Sequence, residues 1–409
     1  MRGERLRVRR ALALAPLVLV AGAAQASHWE WKEKWELDGI GELETSDRHL
    51  ARFRTEGRNF EARLGGRLHL DAAVYDEDTT PLGDHFGIRR LRFGLETRLF
   101  QDWRSGLVVE LSPGTTEWLR DAWIGYYGFE RTRIQVGVRS VPLGMEAATS
   151  SNDVTFLERS LANAQSPESL TGLNLETHGE SWSARLGGFF DAFGEEEREK
   201  QRAEGPLVLG RLTVAPLREE ERVLHLGVSS FYRGVRGKNR YRLRSRPESS
   251  LAPYLFSTGR LADVDDAVAF AVEVAGAIGP VSIQGEYSRT KLWRDAGRRD
   301  PSFYGAYVEA SWFPTGESRP YDVRRGVFER IEPRRRWGAV QLAVRWSRLD
   351  LIDSGIEGGE ADDISVGVNW YLSPNLRIMF NYIRVDGRLS GDLRDDDPRI
   401  FQWRFQFAF

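Results

Sequence analysis

The chain has 409 residues, 41% hydrophobic and 29% charged, with a formal net charge of −2 and no cysteine. No run of about 20 apolar residues is present, which excludes a helical membrane protein, and 13 Trp, 12 Tyr and 21 Phe are too many for a disordered chain. Disulfide scaffolds, thiolate zinc sites and cysteine nucleophiles are excluded as well, and the near-neutral balance argues against a nucleic-acid partner.

The N-terminus reads as an export signal. Arg2, Arg5, Arg7, Arg9 and Arg10 precede an apolar stretch from Ala11 to Ala23, and Ala24-Gln25-Ala26 has the small-x-small form of a cleavage site. Residues 1–26 are therefore expected to be a cleaved signal peptide, too short to span a bilayer. Residues 27–62 set Trp29, Trp31 and Trp35 among Lys32, Glu33, Lys34 and Glu36. They read as a periplasmic N-terminal segment, either a plug-like tail or an interfacial anchor, leading into the first strand.

From residue 63 the hydrophobic period is two. Leu64, Gly66, Leu68, Leu70, Ala72 and Val74 share one face, and Arg67, His69, Asp71 and Tyr75 the other. Leu91, Phe93, Leu95, Thr97 and Leu99 then oppose Arg90, Arg92, Glu96 and Arg98. Strict alternation argues half-buried strands. Their length, about ten residues or more, exceeds the usual ~5–6 and suits a tilted strand crossing a bilayer. Sixteen such segments are expected, at 63–75, 87–100, 102–111, 119–127, 131–139, 171–177, 181–191, 206–215, 222–232, 267–277, 280–290, 302–313, 335–350, 362–372, 375–387 and 400–409. Tight turns fall at Phe100-Gln101-Asp102, Gly279-Pro280 and Leu372-Ser373-Pro374-Asn375, whereas 140–170, 233–266 and 314–334 are long and polar. Short turns at one end and long loops at the other are the pattern of a transmembrane barrel. The last segment places Phe401, Trp403, Phe405, Phe407 and Phe409 on one face and Gln402, Arg404 and Gln406 on the other. The expected fold is an all-β, transmembrane antiparallel β-barrel of about 16 strands over 63–409.

Several separated blocks carry a family resemblance. They are Leu64-Gly65-Gly66-Arg67-Leu68-His69-Leu70-Asp71, Arg89-Arg90-Leu91-Arg92-Phe93-Gly94-Leu95 with Phe100-Gln101-Asp102-Trp103, and Val136-Gly137-Val138-Arg139 with Leu143-Gly144-Met145-Glu146, Thr149-Ser150-Ser151 and Leu157-Glu158-Arg159. Gly305-Ala306-Tyr307-Val308-Glu309-Ala310-Ser311-Trp312-Phe313 and Gly367-Val368-Asn369-Trp370-Tyr371 complete the set. In this order the blocks resemble the phosphate-selective porin O and P family. The resemblance implies a 16-stranded, usually trimeric barrel forming an anion-permeable channel. It also implies a long third extracellular loop folded inward to narrow the pore, with lumen arginines guiding phosphate or polyphosphate. Two positions depart from the family: Ala147 follows Glu146 where phosphate-selective members carry lysine, and Val74 stands where the first strand carries arginine.

The residue chemistry permits that reading. Of 58 basic residues only five are lysine, and arginine stays charged and matches phosphate oxygens bidentately. Arg67, Arg90, Arg92, Arg98, Arg104, Arg133, Arg139, Arg185 and Arg211 fall on the non-apolar register. The candidate anion-binding residues are Arg67, Arg90, Arg92, Arg98, Arg133, Arg139, Arg211 and Arg233, and the candidate constriction residues are Glu146, Ser150, Ser151, Glu158 and Arg159. The competing reading is local pairing, for instance Arg90 with Glu96 or Arg104 with Glu110. Six scattered histidines show no metal spacing. No nucleophile elbow, P-loop or H-E-x-x-H motif is present, so neither an enzyme nor a cofactor is expected. The acidic runs at 263–266 and 395–397 read as solvated loops, with divalent-cation or lipopolysaccharide bridging the alternative, and the charged run Glu195–Lys200 as an exposed loop or short helix. The expected function is an outer-membrane diffusion channel for small anions, phosphate or polyphosphate among them. Its expected partners are two further copies in a homotrimer, membrane lipid and lipopolysaccharide. A general or carbohydrate porin and a closed structural barrel are the alternatives.

Overall fold

The computed structural model describes residues 32–37, 40–46, 49–115, 118–190, 205–235, 241–295 and 297–409. The expected signal peptide, Trp29, Trp31 and Glu195–Lys200 lie outside the described residues. Sixteen long strands follow one another: β1 Phe60–Asp76, β2 His85–Leu99, β3 Trp103–Glu110, β4 Leu119–Tyr126, β5 Thr132–Ser140, β6 Ser169–His178, β7 Trp182–Phe190 and β8 Leu207–Glu219, then β9 Arg222–Gly234, β10 Val264–Ile278, β11 Val281–Arg294, β12 Ser302–Trp312, β13 Ala339–Asp353, β14 Ile356–Tyr371, β15 Leu376–Arg388 and β16 Arg399–Ala408. Each overlaps one of the sixteen segments read from the alternation. Each pairs antiparallel with its sequence neighbours, and β16 closes on β1 from Arg399↔Asp76 to Ala408↔Arg67. The result is a closed 16-stranded barrel without a free sheet edge around its wall.

The two faces of the strands settle what alternation alone left open. On β8, Val208, Leu212 and Val214 are exposed while Arg211 and Thr213 are buried; on β9, Leu224, Leu226 and Val228 are exposed while His225 and Ser229 are buried. A soluble sandwich would bury the apolar face. Here the apolar face looks outward and the polar face inward, the arrangement of a barrel in lipid with a polar lumen. Gln402, Arg404 and Gln406 of β16 accordingly point inward and are buried. The chain end is seated where β16 meets β1: Phe409 exchanges backbone hydrogen bonds with Gly66 at 2.7 and 3.0 Å. Gly66 has to lack a side chain, because a Cβ there would lie 2.7 Å from the Phe409 ring and 2.4 Å from the Arg92 carbonyl.

The connections 100–102, 127–131, 179–181, 220–221, 279–280 and 372–375 share one end of the barrel. Phe100 (φ 49°) and Gln101 (φ 69°) take left-handed backbone in the first of them. Connections 141–168 and 235–263 leave the opposite end. Residues 314–334, grouped by composition with these long loops, belong instead to the short-turn end. They join β12 to β13, and strand parity fixes that side. Nor is this segment simply polar. Its Val323, Val327 and Phe328 are buried with Ala215, Val223, Ala275 and Ala277 of the wall and with Met145. Small inward side chains on β8–β10 leave the space that these apolar ones fill.

Residues 32–55 are more ordered than a tail. Strands Lys32–Leu37, Gly41–Ser46 and His49–Thr55 form an antiparallel meander. Its last strand pairs with β1 from Ala51↔Leu64 to Arg54↔Glu61, on the part of β1 that runs past the end of β16. The signal in the sequence was the alternation of Trp35, Leu43 and Phe53 with charged neighbours.

Candidate functional site

A cavity of about 1170 Å³ is bounded by β1–β9, by the segment 141–168, by part of 241–254 and by Arg324, Arg325 and Arg330 of the connection 313–338. Its lining holds eighteen arginines and seven carboxylates, so the cavity is strongly positive although the chain as a whole is at −2.

Regular alternation supplies half of these arginines, and two β-bulges supply two more. Between β1 and β2 the register passes from His69↔Arg90 to Leu70↔Ile88, leaving Arg89 as the extra residue. Between β3 and β4 it passes from Val108↔Asp121 to Val109↔Leu119, leaving Arg120 over. A bulge lets two consecutive side chains point to one face. Arg89 with Arg90, and Arg120 with Asp121, thus all reach the cavity.

Many wall arginines are neutralised in place. Arg92 Nε donates to Glu110 at 2.5 Å, Arg133 Nε to Glu176 at 2.5 Å, and Arg211 makes a bidentate pair with Glu273 at 2.8 and 2.7 Å. Arg211 also donates to the carbonyls of Arg325 and Gly326, and His225 bonds the Tyr321 hydroxyl at 2.6 Å, which ties the connection 313–338 to β8 and β9. Other arginines have no carboxylate within ion-pair distance among the described residues. Arg67 donates to the Ser151 hydroxyl at 2.8 Å, and Arg159 to the carbonyls of Glu146 and Thr149 at 2.9 and 2.7 Å. Arg244 and Arg246 lie 4.0 and 4.4 Å from the Tyr254 ring centre. Burial pushes the Arg242 guanidinium down, and its neighbours Arg244 and Arg260 push it further.

The segment 141–168 is fastened by two acidic groups of its own. Glu158 is held by Arg89 at 2.8 and 3.0 Å and by Arg404 at 2.7 Å. Burial alone would raise its pKa, but Arg89, Arg90 and Arg404 hold it well below the usual carboxylate range. Glu146, in the single-turn helix α1 (Met145–Ala148), accepts from Ser160 N and Oγ at 3.0 and 2.7 Å and from Arg345 of β13 at 3.3 Å. Burial pushes Glu146 up to about 7 against the pull of Arg345. Arg345, 1% exposed, also donates to Glu248 at 2.5 Å and to the Glu158 carbonyl at 3.1 Å. It therefore joins 141–168, 235–263 and the wall at one point. Further bonds run from Arg377 to the carbonyls of Val154 and Thr155 and from Leu161 N to Ser347 Oγ at 2.8 Å.

Among the residues expected from sequence, Arg67, Arg90, Arg92, Arg133, Arg139, Arg211, Arg233, Ser150, Ser151, Glu158 and Arg159 meet in this one cavity. Arg98 does not: it sits at the short-turn end, donating to the Gln101 carbonyl at 3.0 Å. Glu146 is turned into the wall, and Ala147 lines the cavity beside it. The pairing expected from sequence also changes. Glu110 takes Arg92, 2.5 Å away, and Arg104 instead lies over the Tyr127 ring. The sequence reading missed Arg242, Arg244 and Arg246, because 233–266 was read as loop. The usable signal was Tyr241-Arg242-Leu243-Arg244, in which Tyr241 and Leu243 are buried and the alternating arginines are only half-buried.

Three comparisons bear on this arrangement. The family model described as "Phosphate-selective porin O and P" matches residues 62–409. The chain is 27% identical over 401 residues to "Porin O" of Pseudomonas aeruginosa, covering 87% of this chain and 90% of that protein. Among solved structures, an anion-selective porin from Comamonas acidovorans superposes with a TM-score of 0.55 at 15% identity, covering 86% of this chain and all of that one. The trimer form of Vibrio cholerae OmpT gives 0.52 at 10% identity, covering 86% and 99%.

Proposed function

The chain belongs to the phosphate-selective porin O and P family, and from that membership we propose that this outer-membrane porin passes small anions, inorganic phosphate among them, through its arginine-lined cavity. The excess of eighteen arginines over seven carboxylates in the lining carries this reading. A low-dielectric wall lined by one sign of charge concentrates the opposite ion and lowers its entry barrier. Arg67, Arg104, Arg159, Arg242, Arg244, Arg246 and Arg330 contribute most, because among the described residues no carboxylate stands within ion-pair distance of them. The guanidiniums paired to Glu110, Glu176 and Glu273 hold the wall together.

In this reading 141–168 lies across the lumen and narrows it, supported by its bonds to inward side chains of β1, β12, β13, β14 and β15. Ser150 and Ser151 present hydroxyls to the passing ion and Arg159 a guanidinium. A cleaved leader at 1–26, a periplasmic N-terminal segment at 27–62 and a homotrimer set in lipid and lipopolysaccharide belong to the same proposal. No catalytic or cofactor role is assigned. The test is the reversal potential of the purified protein in a planar bilayer under a KCl gradient, followed by titration of phosphate against the chloride current. Chloride preference and a saturable block by phosphate are expected. Cation preference, or no block at any phosphate concentration, would refute the proposal.

A further inference from the structure

We propose that the cavity carries a subsite for planar aromatic anions, such as aryl carboxylates and aryl phosphates, built on Trp123 and Tyr127 between the guanidiniums of Arg104 and Arg139. The proposal rests on the anion-channel reading and names a substrate class for it.

Four side chains from β3, β4, β5 and the turn after β4 form one strip. Arg139 Cζ lies 4.8 Å from the Trp123 ring centre. The Trp123 and Tyr127 rings are 6.3 Å apart at 37°, and Arg104 Cζ lies 4.5 Å from the Tyr127 ring. All four line the cavity. The rings are fixed by their surroundings. Trp123 stands opposite Gly106 in the ladder, and a Cβ on Gly106 would come within 2.5 Å of the indole Nε1 and 2.6 Å of its six-membered ring. The indole thus lies against bare backbone. Gln135 Nε2 donates to the Tyr127 hydroxyl at 2.5 Å and holds that ring in place.

Position sets this strip apart from wall packing. Ile124 points outward and is exposed, so Trp123, its neighbour on the strand, occupies the inward register of an otherwise polar wall. Phe231 and Tyr241 also border the cavity but are 2% and 6% exposed. Trp123 and Tyr127 are only half-buried. The motif recurs at the opposite end, where Tyr254, 42% exposed, meets Arg244 and Arg246.

An inorganic ion gains nothing from an aromatic surface. A carboxylate or phosphate attached to a ring gains twice: the anion meets a guanidinium fork, and its ring stacks on indole, phenol or guanidinium planes.

The experiment compares matched blockers of the chloride current through the purified protein in planar bilayers. Benzoate is set against acetate, and phenyl phosphate against methyl phosphate. The half-blocking concentration of each aryl compound is expected to be about three- to tenfold below that of its alkyl partner. In Trp123→Leu and in Tyr127→Leu the ratio should fall toward one. Because the ratio is taken within one protein, altered yield or conductance of a variant does not enter it. Equal block by aryl and alkyl partners in the parent protein overturns the proposal, as does a preference that both variants retain. A channel that shows no anion preference under the KCl gradient overturns the reading beneath it, which is a separate result.

Discussion

Arg345→Met tests whether one buried guanidinium holds both 141–168 and 235–263 to the wall. Arg345 reaches Glu146 at 3.3 Å, Glu248 at 2.5 Å and Glu309 at 3.9 Å, and its Cζ sits 4.3 Å from the Phe156 ring. Methionine keeps much of the apolar volume but removes the charge. Three carboxylates from three elements are then left facing one another out of water. Breaking a buried pair from one side costs about 3–5 kcal/mol, which moves an attached-to-released equilibrium by roughly two to four powers of ten. The wall itself stays closed, since the ladder β12–β13–β14 does not depend on this side chain. The loss is therefore local, at the attachment of 141–168 and 235–263. Single-channel recording should show a noisier open level with excursions to higher conductance. Arg345→Met/Glu248→Gln should recover part of the quiet behaviour by removing one stranded charge. Parent-like noise and conductance in the single variant would show that the segments are held without this ion cluster.

Three further outcomes follow from the same geometry. Burial holds Glu146 at about 7, above its ordinary range near 4.3, so the attached segment keeps a proton that a released one gives up. The attachment is thus firmest below about pH 4.5 and weakens as pH rises through 7; current noise should increase from pH 6 to 8 in the parent and stay flat in Glu146→Gln. Replacing Arg242, Arg244 and Arg246 together by Gln should lower the chloride-to-potassium permeability ratio several-fold, read as a shift of reversal potential toward zero, with no loss of assembled protein. Gly66→Val should cut the yield of folded barrel on a heat-modifiability gel, because its Cβ would meet Arg92 O at 2.4 Å, whereas Gly210→Ala, with nothing within 4 Å, should fold normally.

The barrel was legible because lipid imposes a rule that every strand must obey. Backbone polar groups have to pair within the sheet, and outward side chains have to be apolar, so β8, β9 and β16 repeat one period-two code. The site was less legible because it breaks that code. Ile88-Arg89-Arg90-Leu91 carries the phase shift in plain view, with Phe86 and Ile88 exposed before it and Leu95 after it. Read with a fixed period, it assigns only Arg90 to the lumen. The connection 313–338 was misplaced for a different reason. Composition separates polar from apolar segments, but the barrel end a segment occupies depends on strand parity, and parity comes from counting strands. Pairing choices lay furthest from view. Glu158 and Arg404 are 246 positions apart in the chain, and nothing local links them.

The charge of the whole chain and the charge of the cavity differ in sign, and screening explains why the second governs. At physiological ionic strength a charge acts over about 8 Å, so acidic residues on exposed loops such as Asp295 and Asp392 are screened from an ion inside the lumen. The lining is not screened in this way, because the wall excludes water from one side of each group. Within the lining, pairing divides the work further. A guanidinium bonded to Glu176 or Glu273 presents a dipole to the lumen, and its field falls off faster than that of a lone charge. Arg67, Arg159, Arg244 and Arg246 face hydroxyls, carbonyls and a ring, which solvate them without cancelling them. In the proposed anion channel, selectivity therefore rests on where the carboxylates were placed as much as on the number of arginines.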